Sequence, residues 1–131
     1  MKTTRRVRFS ETDASGRVHF TSILKWAEDV EHQALAAVGL PVFSSSASDS
    51  GWPRVRVHCD YRAPISFEQE VELEISIESL GKSSLTWRFQ VRNLSEEGQL
   101  AAEGQLVTVF LSEGKTAELD DDFRRALAVY Q

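Results

Sequence analysis

The chain has 131 residues, of which 41% are hydrophobic and 27% charged, a balance typical of one globular domain. We therefore expect a single domain over residues 1–131. The formal net charge of −5 disfavours nucleic acid as a partner, because neutralising phosphates needs clustered cations.

The N-terminal part predicts a strand, a turn and a long helix. Over residues 4–10, Val7 and Phe9 alternate with charged or polar residues, as in a half-buried strand. Asp, Ser and Gly crowd the following residues 11–16, which is turn chemistry. From Thr21 to Val38 the apolar residues recur at helical spacing on one face, so a long amphipathic helix is expected. Such a helix needs a sheet to lie against.

Four runs with the alternation of strands follow a serine-rich loop at residues 44–50. The runs are Pro53–Tyr61, residues 68–81, residues 83–93 and Gln99–Leu111, and residues 119–130 could form a short terminal helix. In the first run, Val55, Val57 and Cys59 face one way and Arg54, Arg56, His58 and Asp60 the other. Because no crossover helix separates the four runs, we predict consecutive antiparallel neighbours. A helix on one face of this sheet is an α+β architecture.

Several common sites are missing. There is no G-x-S-x-G motif of a serine hydrolase. His19, His32, His58 and Cys59 lack the spacing of zinc ligands, so we expect neither a metal nor a cofactor. The start MKTTRRVRF lacks the apolar stretch of a signal peptide, and no run approaches the roughly 18 apolar residues of a membrane span. We therefore expect a cytoplasmic protein with no membrane partner.

A carboxylate stands out just before the predicted helix. Asp13 lies between the first strand and the helix N-terminus, which carries free N–H groups and a partial positive charge. Such a terminus can hold the oxygen of a polarised thioester carbonyl while a carboxylate attacks it or activates water. Aspartate is also common in turns, so this pattern alone favours a structural role.

A resemblance to a known family favours a catalytic role for Asp13 over a structural one. Residues 7–28 (VRFSETDASGRVHFTSILKWAE) resemble the signature of the 4-hydroxybenzoyl-CoA thioesterase family. The matching positions are Asp13, Gly16, Val18, His19, Phe20, Leu24, Trp26 and Glu28. Residues 55–73 and 80–84 are similar to two later segments of that family. The resemblance covers nearly the whole chain in the correct order.

The resemblance implies a fold and an assembly. The family has the hotdog fold, a five-stranded antiparallel sheet wrapped around one long helix. It implies a homodimer joined through the Pro53–Tyr61 strand. Two such dimers often pair into a homotetramer. An exposed strand edge with alternating valines needs such cover. His58 would lie near this dimer edge, where we expect a structural role.

The resemblance also implies the catalytic and substrate-binding residues. Asp13 would be the nucleophile or general base, and backbone N–H groups near Phe20 and Thr21 would bind the thioester oxygen. Lys82 and Ser83 would lie where family members meet the phosphates of coenzyme A.

Other candidate residues lie along the helix. His19 either contacts substrate or packs. Glu28 is a candidate substrate-binding residue, which either hydrogen-bonds near the helix start or pairs with a neighbour. Glu31 is a reserve catalytic carboxylate that needs a partner if it is buried. Ser22 and Ile23 stand where the family often has Asn and then an aromatic residue.

The function that follows is hydrolysis of an acyl- or aroyl-CoA thioester to free acid and CoA. Two alternatives stay open: a thioesterase that acts on acyl carrier protein, and a non-catalytic acyl-CoA-binding module. The acidic chain would repel an acidic carrier unless it has a basic patch. A hotdog hydratase is disfavoured because the chain lacks the usual helix histidine with its Asp or Asn partner.

Overall fold

The computed structural model describes residues 1–40 and 50–131, and one long helix lies at its centre against a five-stranded antiparallel sheet. Most of the loop predicted at residues 44–50 lies outside the described residues. The strands are β1 (Lys2–Arg6), β2 (Arg54–Tyr61), β3 (Glu70–Leu80), β4 (Ser84–Asn93) and β5 (Gln99–Val109), with a small hairpin of β6 (Leu111–Ser112) and β7 (Lys115–Thr116); the helices are α1 (Phe20–Ala37) and α2 (Asp121–Leu127).

The order of the strands in the sheet is β1-β3-β4-β5-β2. Strands β3, β4 and β5 form the predicted antiparallel meander. The prediction was wrong for β2, which pairs with β5 at the far edge instead of with β3. The reason is that β1 occupies the free side of β3, with Arg5 opposite Val71. The two edges of the sheet are therefore β1 and β2.

The core lies between α1 and the inner face of the sheet. The alternating residues predicted for β3 and β4 are all buried, namely Val71, Leu73, Ile75, Ile77, Leu85, Trp87, Phe89 and Val91. Ile23, Trp26, Ala27, Val30 and Ala34 of α1 pack against them. Burial of such side chains contributes roughly 1.5–3 kcal/mol each, so this interface is what holds α1 on the sheet.

The first strand is shorter than predicted. It ends at Arg6, and a 3₁₀ turn begins at Phe9, although the predicted strand continued to Ser10. The cause is a local turn: the Glu11 carboxylate accepts a hydrogen bond from the Arg8 backbone N–H at 2.8 Å, and the Glu11 N–H donates to the Arg8 carbonyl at 3.0 Å. Phe9 is consequently 78% exposed instead of buried beside Val7.

A bulge in β2 changes which way Arg54 points. Simple alternation placed Arg54 on the same face as Arg56, but the register shifts between them, so Val55 is an extra residue. The Arg54 guanidinium therefore reaches α1 and donates two hydrogen bonds to the Glu31 carboxylate, one of them at 3.0 Å. Glu31 is only 1% exposed. This pair joins the edge strand to the helix.

Gly104 lets β2 approach its neighbours closely. This residue of β5 lies opposite Cys59 of β2 and Phe89 of β4. A methyl group at Gly104 would lie 2.0 Å from the carbonyl oxygen of His58 and 2.8 Å from Cζ of Phe89. The position therefore tolerates no side chain in this packing.

The C-terminal segment closes one side of the core. The predicted terminal helix is found as α2 followed by a 3₁₀ turn at Ala128–Tyr130. The Tyr130 hydroxyl donates to the Ala34 carbonyl of α1 at 3.1 Å, and its ring lies 5.7 Å from that of Trp87. In the described parts of the chain, neither helix is long and apolar enough to cross a membrane.

Candidate active site

Asp13 lies in a closed turn between the 3₁₀ turn and α1. Its N–H donates to the Arg17 carbonyl at 2.8 Å, and its carbonyl accepts from the Gly16 N–H at 3.0 Å. Gly16 has a φ of +77°, a conformation that glycine adopts without strain. Carboxylate oxygen Oδ1 accepts hydrogen bonds from the Ser15 N–H at 2.8 Å and the Ser15 hydroxyl at 2.5 Å. Oxygen Oδ2 accepts none from residues 1–40 and 50–131, so it is available to a substrate or water.

The contacts of the turn favour the ionised form of Asp13. The Ser15 hydroxyl and then the Ser15 backbone N–H lower the pKa of the Asp13 carboxyl below its usual 3.8, and nearby His19 adds to this effect. A carboxylate that is hydrogen-bonded in its charged form loses its proton more easily. Asp13 is therefore ionised at neutral pH, as a nucleophile or general base must be.

The helix begins beside this turn. His19 is the N-cap of α1, and its Nδ1 accepts a hydrogen bond from the Thr21 N–H at 3.2 Å. The Thr21 amide is thus already used, which gives His19 a structural role in the free protein. The Phe20 N–H has no hydrogen-bond acceptor in the described part of the chain. Of the two amides predicted to bind the thioester oxygen, Phe20 offers the available donor.

An open cleft of about 500 Å³ connects Asp13 to the helix start. One wall holds Asp13, Ser15, Arg17, Val18, Phe20 and Ile23, and the other is formed by residues 61–65. The Val18 N–H donates to the Ile65 carbonyl at 2.8 Å, which ties the two walls together. The segment after β2 thus faces Asp13 across the cleft.

Tyr61, the last residue of β2, was not among the residues predicted for the site. Its hydroxyl donates to the Phe20 carbonyl at 2.9 Å, so it fixes the end of β2 to the helix start. Burial, and then the neighbouring Cys59 thiol, raise the pKa of Tyr61 to about 12. The phenol therefore stays protonated and keeps donating at neutral pH.

Arg17 was also missed, although it lies inside the D-A-S-G-R stretch. Its side chain lines the cleft and forms no ion pair with the residues that the structure describes. A guanidinium in this position gives the cleft a cation that can pair with an anionic group of a substrate.

Glu11 holds the Asp13 turn against the helix. Its carboxylate accepts a hydrogen bond from Trp26 Nε1 at 2.9 Å and pairs with the guanidinium of Arg5. Its backbone carbonyl accepts from the His19 N–H and from the Ser22 hydroxyl, both at 2.9 Å. Ser22, which departs from the family pattern, is therefore a buried structural contact. In the sequence, this role of Glu11 is indicated by no more than an acidic residue two positions before Asp13.

The remaining candidates lie away from the cleft. Lys82 and Ser83 occupy the turn after β3, and the Lys82 amine pairs with Glu118 at 2.5 Å. The turn that holds Asp13 lies near the start of β3, whose 11 residues span roughly 34 Å at about 3.4 Å per residue. One chain therefore does not bring Lys82 and Ser83 to Asp13.

The carboxylates predicted along α1 have partners. Glu28 lies 3.6 Å from the Arg54 guanidinium, which corresponds to the second of its two predicted roles, pairing with a neighbour. Glu31 is held by the same arginine inside the protein. His58 lies exposed on β2 with its Nε2 3.6 Å from Asp60, as expected for a residue of the strand edge. In residues 1–40 and 50–131, no group of three or more acidic, His or Cys side chains could hold a metal ion.

Comparisons with known proteins identify the fold and the family. The family model of the thioesterase superfamily matches residues 15–99. A 1,4-dihydroxy-2-naphthoyl-CoA hydrolase from Synechococcus sp. strain CC9605 is 35% identical over 112 residues, which are 81% of this chain and 73% of that protein. The chain spans 65% and 60% of two other proteins with the same name, from Prochlorococcus marinus strain NATL2A and Synechococcus sp. strain WH7803.

Two solved structures have the same architecture. A gentisyl-coenzyme A thioesterase has a TM-score of 0.85 and 26% identity, with 98% of this chain and 100% of that chain covered. A 1,4-dihydroxy-2-naphthoyl-CoA thioesterase from Synechocystis has a TM-score of 0.87 and 22% identity over 96% of this chain and 93% of that chain. At that identity the second likeness concerns the fold.

The architecture is therefore the hotdog fold that the family resemblance implied, and the enzyme class is thioester hydrolase. The chain belongs to the thioesterase superfamily. The family match begins two residues after Asp13, so it covers the cleft wall and the helix start but not the carboxylate itself.

Proposed function

We propose that this protein hydrolyses an acyl- or aroyl-CoA thioester to the free acid and CoA. The observation that carries the proposal is the ionised Asp13 carboxylate, with Oδ2 available, in a cleft beside the start of α1. Two of the similar proteins are named as enzymes that act on 1,4-dihydroxy-2-naphthoyl-CoA and gentisyl-CoA. Hydroxylated aroyl-CoA thioesters are therefore the first substrates to test.

In the proposed reaction Asp13 acts as the nucleophile or the general base. The thioester carbonyl oxygen accepts a hydrogen bond from the Phe20 N–H, which polarises the carbonyl carbon. Oδ2 then either attacks that carbon to form an acyl-aspartate, which water hydrolyses, or takes a proton from the water that attacks it. CoA leaves as the thiolate and takes up the proton. Both routes consume one water and release one acid and one thiol.

We also propose that the protein acts as a homodimer through Pro53–Tyr61, which can pair again into a homotetramer. Val55 and Val57 of this edge strand are 58% and 45% exposed, and an unpaired apolar edge invites pairing with a second chain. Tyr61 lies in the cleft wall, so a partner at this edge would border the site. Lys82 and Ser83 remain predicted contacts of the CoA phosphates, and a second chain offers the way for them to reach a cleft.

Replacing Asp13 tests the proposed function. Asp13→Asn keeps the shape of the side chain but removes its negative charge, so we expect kcat to fall by about 10²-fold or more with the fold unchanged. Thiol release from a panel of aroyl-, short-chain and long-chain acyl-CoA thioesters measures the loss, and circular dichroism monitors the fold. Asp121→Asn on the exposed surface of α2 is the matched control.

Full activity of Asp13→Asn on the best substrate would remove Asp13 from the mechanism. Acyl-CoA binding by the wild type without thiol release would indicate the non-catalytic module instead. Release from acyl carrier protein but not from CoA would indicate the other carrier.

A further inference from the structure

Two arginines line the proposed active-site cleft, and they differ in their partners. The Arg62 guanidinium is paired with Asp60 and with Glu103, each at 3.1 Å. Arg17 is exposed and has no ion pair in the part of the chain that the structure describes. A guanidinium offers five N–H donors in a planar fork. Arg17 therefore gives the cleft a positive charge and donors that are free to bind a ligand.

The backbone of Arg17 is held between the Asp13 turn and the segment that faces it. Its carbonyl accepts a hydrogen bond from the Asp13 N–H at 2.8 Å, and it forms an isolated antiparallel β-bridge with Ser66. The next residue, Val18, donates to the Ile65 carbonyl at 2.8 Å. The Arg17 side chain therefore starts from a fixed point directly beside the turn that carries Asp13.

The positive charge of Arg17 is not used to neutralise Asp13. The Asp13 carboxylate accepts its hydrogen bonds from the N–H and the hydroxyl of Ser15, and none of the described ion pairs joins it to Arg17. The cleft thus holds a negative and a positive group at separate places. With Asp13 assigned to the thioester carbon, the guanidinium is left for another part of the substrate.

Apolar side chains supply much of the remaining cleft surface. They belong to Val18, Ile23, Ala63, Pro64 and Ile65. The volume of about 500 Å³ lies within the roughly 300–1,000 Å³ of small-molecule sites, which combine apolar walls with a few placed polar groups. Such a cleft suits an acyl group that is mostly hydrocarbon and carries one polar substituent for the guanidinium.

The position of Arg17 limits which part of an acyl-CoA it can meet. The phosphates of CoA are separated from the thioester by the whole pantetheine arm, whereas the acyl group begins at the thioester carbon itself. Since Arg17 is hydrogen-bonded to Asp13 through the backbone, a thioester placed at Asp13 brings the acyl group near the guanidinium and directs the phosphates away. An ionised Asp13 also repels an acidic acyl group, and a cation in the same cleft offsets that repulsion.

We propose that Arg17 selects acyl groups that carry an acidic oxygen, either a carboxylate or a phenolic hydroxyl, an inference that rests on the proposed acyl-CoA hydrolysis. The guanidinium donates one or two hydrogen bonds to that oxygen, and the apolar side chains of the cleft cover the carbon skeleton. The thioester carbonyl stays at the Phe20 N–H and Asp13 Oδ2. An acyl group without such an oxygen leaves the guanidinium in water and gains nothing from it.

A series of thioesters that differ only in the ring substituent tests this proposal. The series consists of benzoyl-CoA, its three hydroxy isomers and its 3- and 4-carboxy derivatives, and thiol release gives kcat/KM for each, divided by the value for benzoyl-CoA. In the wild type at least one ratio should exceed one, and Arg17→Gln should lower it about tenfold because a charge-assisted hydrogen bond is lost. The kcat/KM for benzoyl-CoA itself should stay at the wild-type value. The ratio that falls identifies the oxygen, and Arg17→Lys should keep part of a preference for carboxylate, since the charge remains.

Arg8→Gln is the matched control, because Arg8 is also exposed and without an ion pair in the described part of the chain but lies outside the cleft. It should leave every ratio unchanged, and circular dichroism checks that the variants fold.

The other outcomes overturn the proposal in distinguishable ways. An equal loss with all thioesters would mean that Arg17 acts on the carbonyl oxygen or the leaving thiolate instead of the acyl substituent. Unchanged ratios in Arg17→Gln, or the same change in Arg8→Gln, would remove Arg17 from specificity while the proposed hydrolysis stands. The same holds if the wild type cleaves only unsubstituted acyl-CoAs. If it releases thiol from no acyl-CoA, the proposed function fails and selection by Arg17 fails with it.

Discussion

Ser15 controls the ionisation of Asp13 through two hydrogen bonds to the same oxygen. The hydroxyl and the backbone N–H both donate to Oδ1, and together they keep the pKa of the carboxyl below 3.8. This leaves Oδ2 available for the proposed reaction. One small side chain thus both orients the carboxylate and holds it in its charged form.

Removing the Ser15 hydroxyl should shift the acid limb of the pH–rate profile. The hydroxyl stabilises the ionised carboxylate, so Ser15→Ala raises the pKa of Asp13 back toward 3.8. On acidification, kcat/KM should therefore fall at a higher pH than in the wild type, with little change at about pH 7. The measurement is the pH dependence of kcat/KM where circular dichroism shows the fold intact. Ser10→Ala, which changes an exposed serine of the 3₁₀ turn, is the control. If the acid limbs of the wild type and Ser15→Ala coincide, the Ser15 hydroxyl does not control the ionisation of Asp13.

The contacts of the residues that surround Asp13 were not predicted from the sequence. The family-like stretch made Asp13 and the helix start candidates because they are close in sequence. Glu11 binds Trp26 across 15 residues and Tyr61 binds Phe20 across 41. Such contacts depend on how the elements pack, and neither local turn chemistry nor helical spacing contains that information.

At the scale of elements, the Arg54–Glu31 pair is the main polar connection between β2 and α1. It exists because the bulge at Val55 turns Arg54 inward. The two hydrogen bonds satisfy a carboxylate that would otherwise be charged and buried without a partner. Helix α1, whose start borders the cleft, and strand β2, whose end borders it, are already joined by the hydrogen bond from Tyr61 to Phe20. The Arg54–Glu31 pair joins them at a second point.

Removing one partner of this pair should destabilise the protein more than replacing both partners with apolar residues. Arg54→Met leaves the Glu31 charge buried without compensation, and we expect a loss of about 3–5 kcal/mol in the free energy of unfolding. Arg54→Met/Glu31→Leu removes both charges and should recover most of that loss. Urea denaturation of the two variants and the wild type measures the difference. Equal stability of the single variant and the wild type would show that the pair contributes nothing.

Alternation of apolar residues predicted the buried faces of β3 and β4 correctly because it reports the local pleat. It gave no information on the position of β2, since pairing with β5 joins residues 41 to 54 positions apart, from Tyr61 with Ala102 to Arg54 with Thr108. It also misplaced Arg54, because a single inserted residue reverses the faces before it. Helix α1, which is long and strongly periodic, was predicted to within one residue at each end.

At the scale of the whole molecule, the two edges of the sheet differ in chemistry. Strand β1 exposes Lys2, Thr4 and Arg6, and charged residues discourage pairing with another chain. Strand β2 exposes Val55 and Val57 beside Arg56 and His58, so its exposed surface is partly apolar. The edge that favours association is thus the one that ends in the cleft wall.

A lysine in this apolar edge should prevent the proposed dimer. Val57→Lys places a charge at the middle of β2, where it would be desolvated in the interface, so we expect monomers where the wild type forms dimers. Size-exclusion chromatography with light scattering gives the mass. Val129→Lys, at another exposed valine, is the control. A Val57→Lys protein with the mass of the wild-type assembly would exclude this edge as the interface.

The close approach at Gly104 has a consequence for how this chain can vary during evolution. The residue carries no functional group and lies in β5, outside the cleft, yet any side chain there must displace both the His58 carbonyl and the Phe89 ring. Moving His58 moves the strand that ends at Tyr61, and with it one wall of the cleft. Position 104 should thus tolerate as few substitutions as a catalytic residue does. In an alignment of relatives, a glycine kept there for packing would look the same as a residue kept for catalysis.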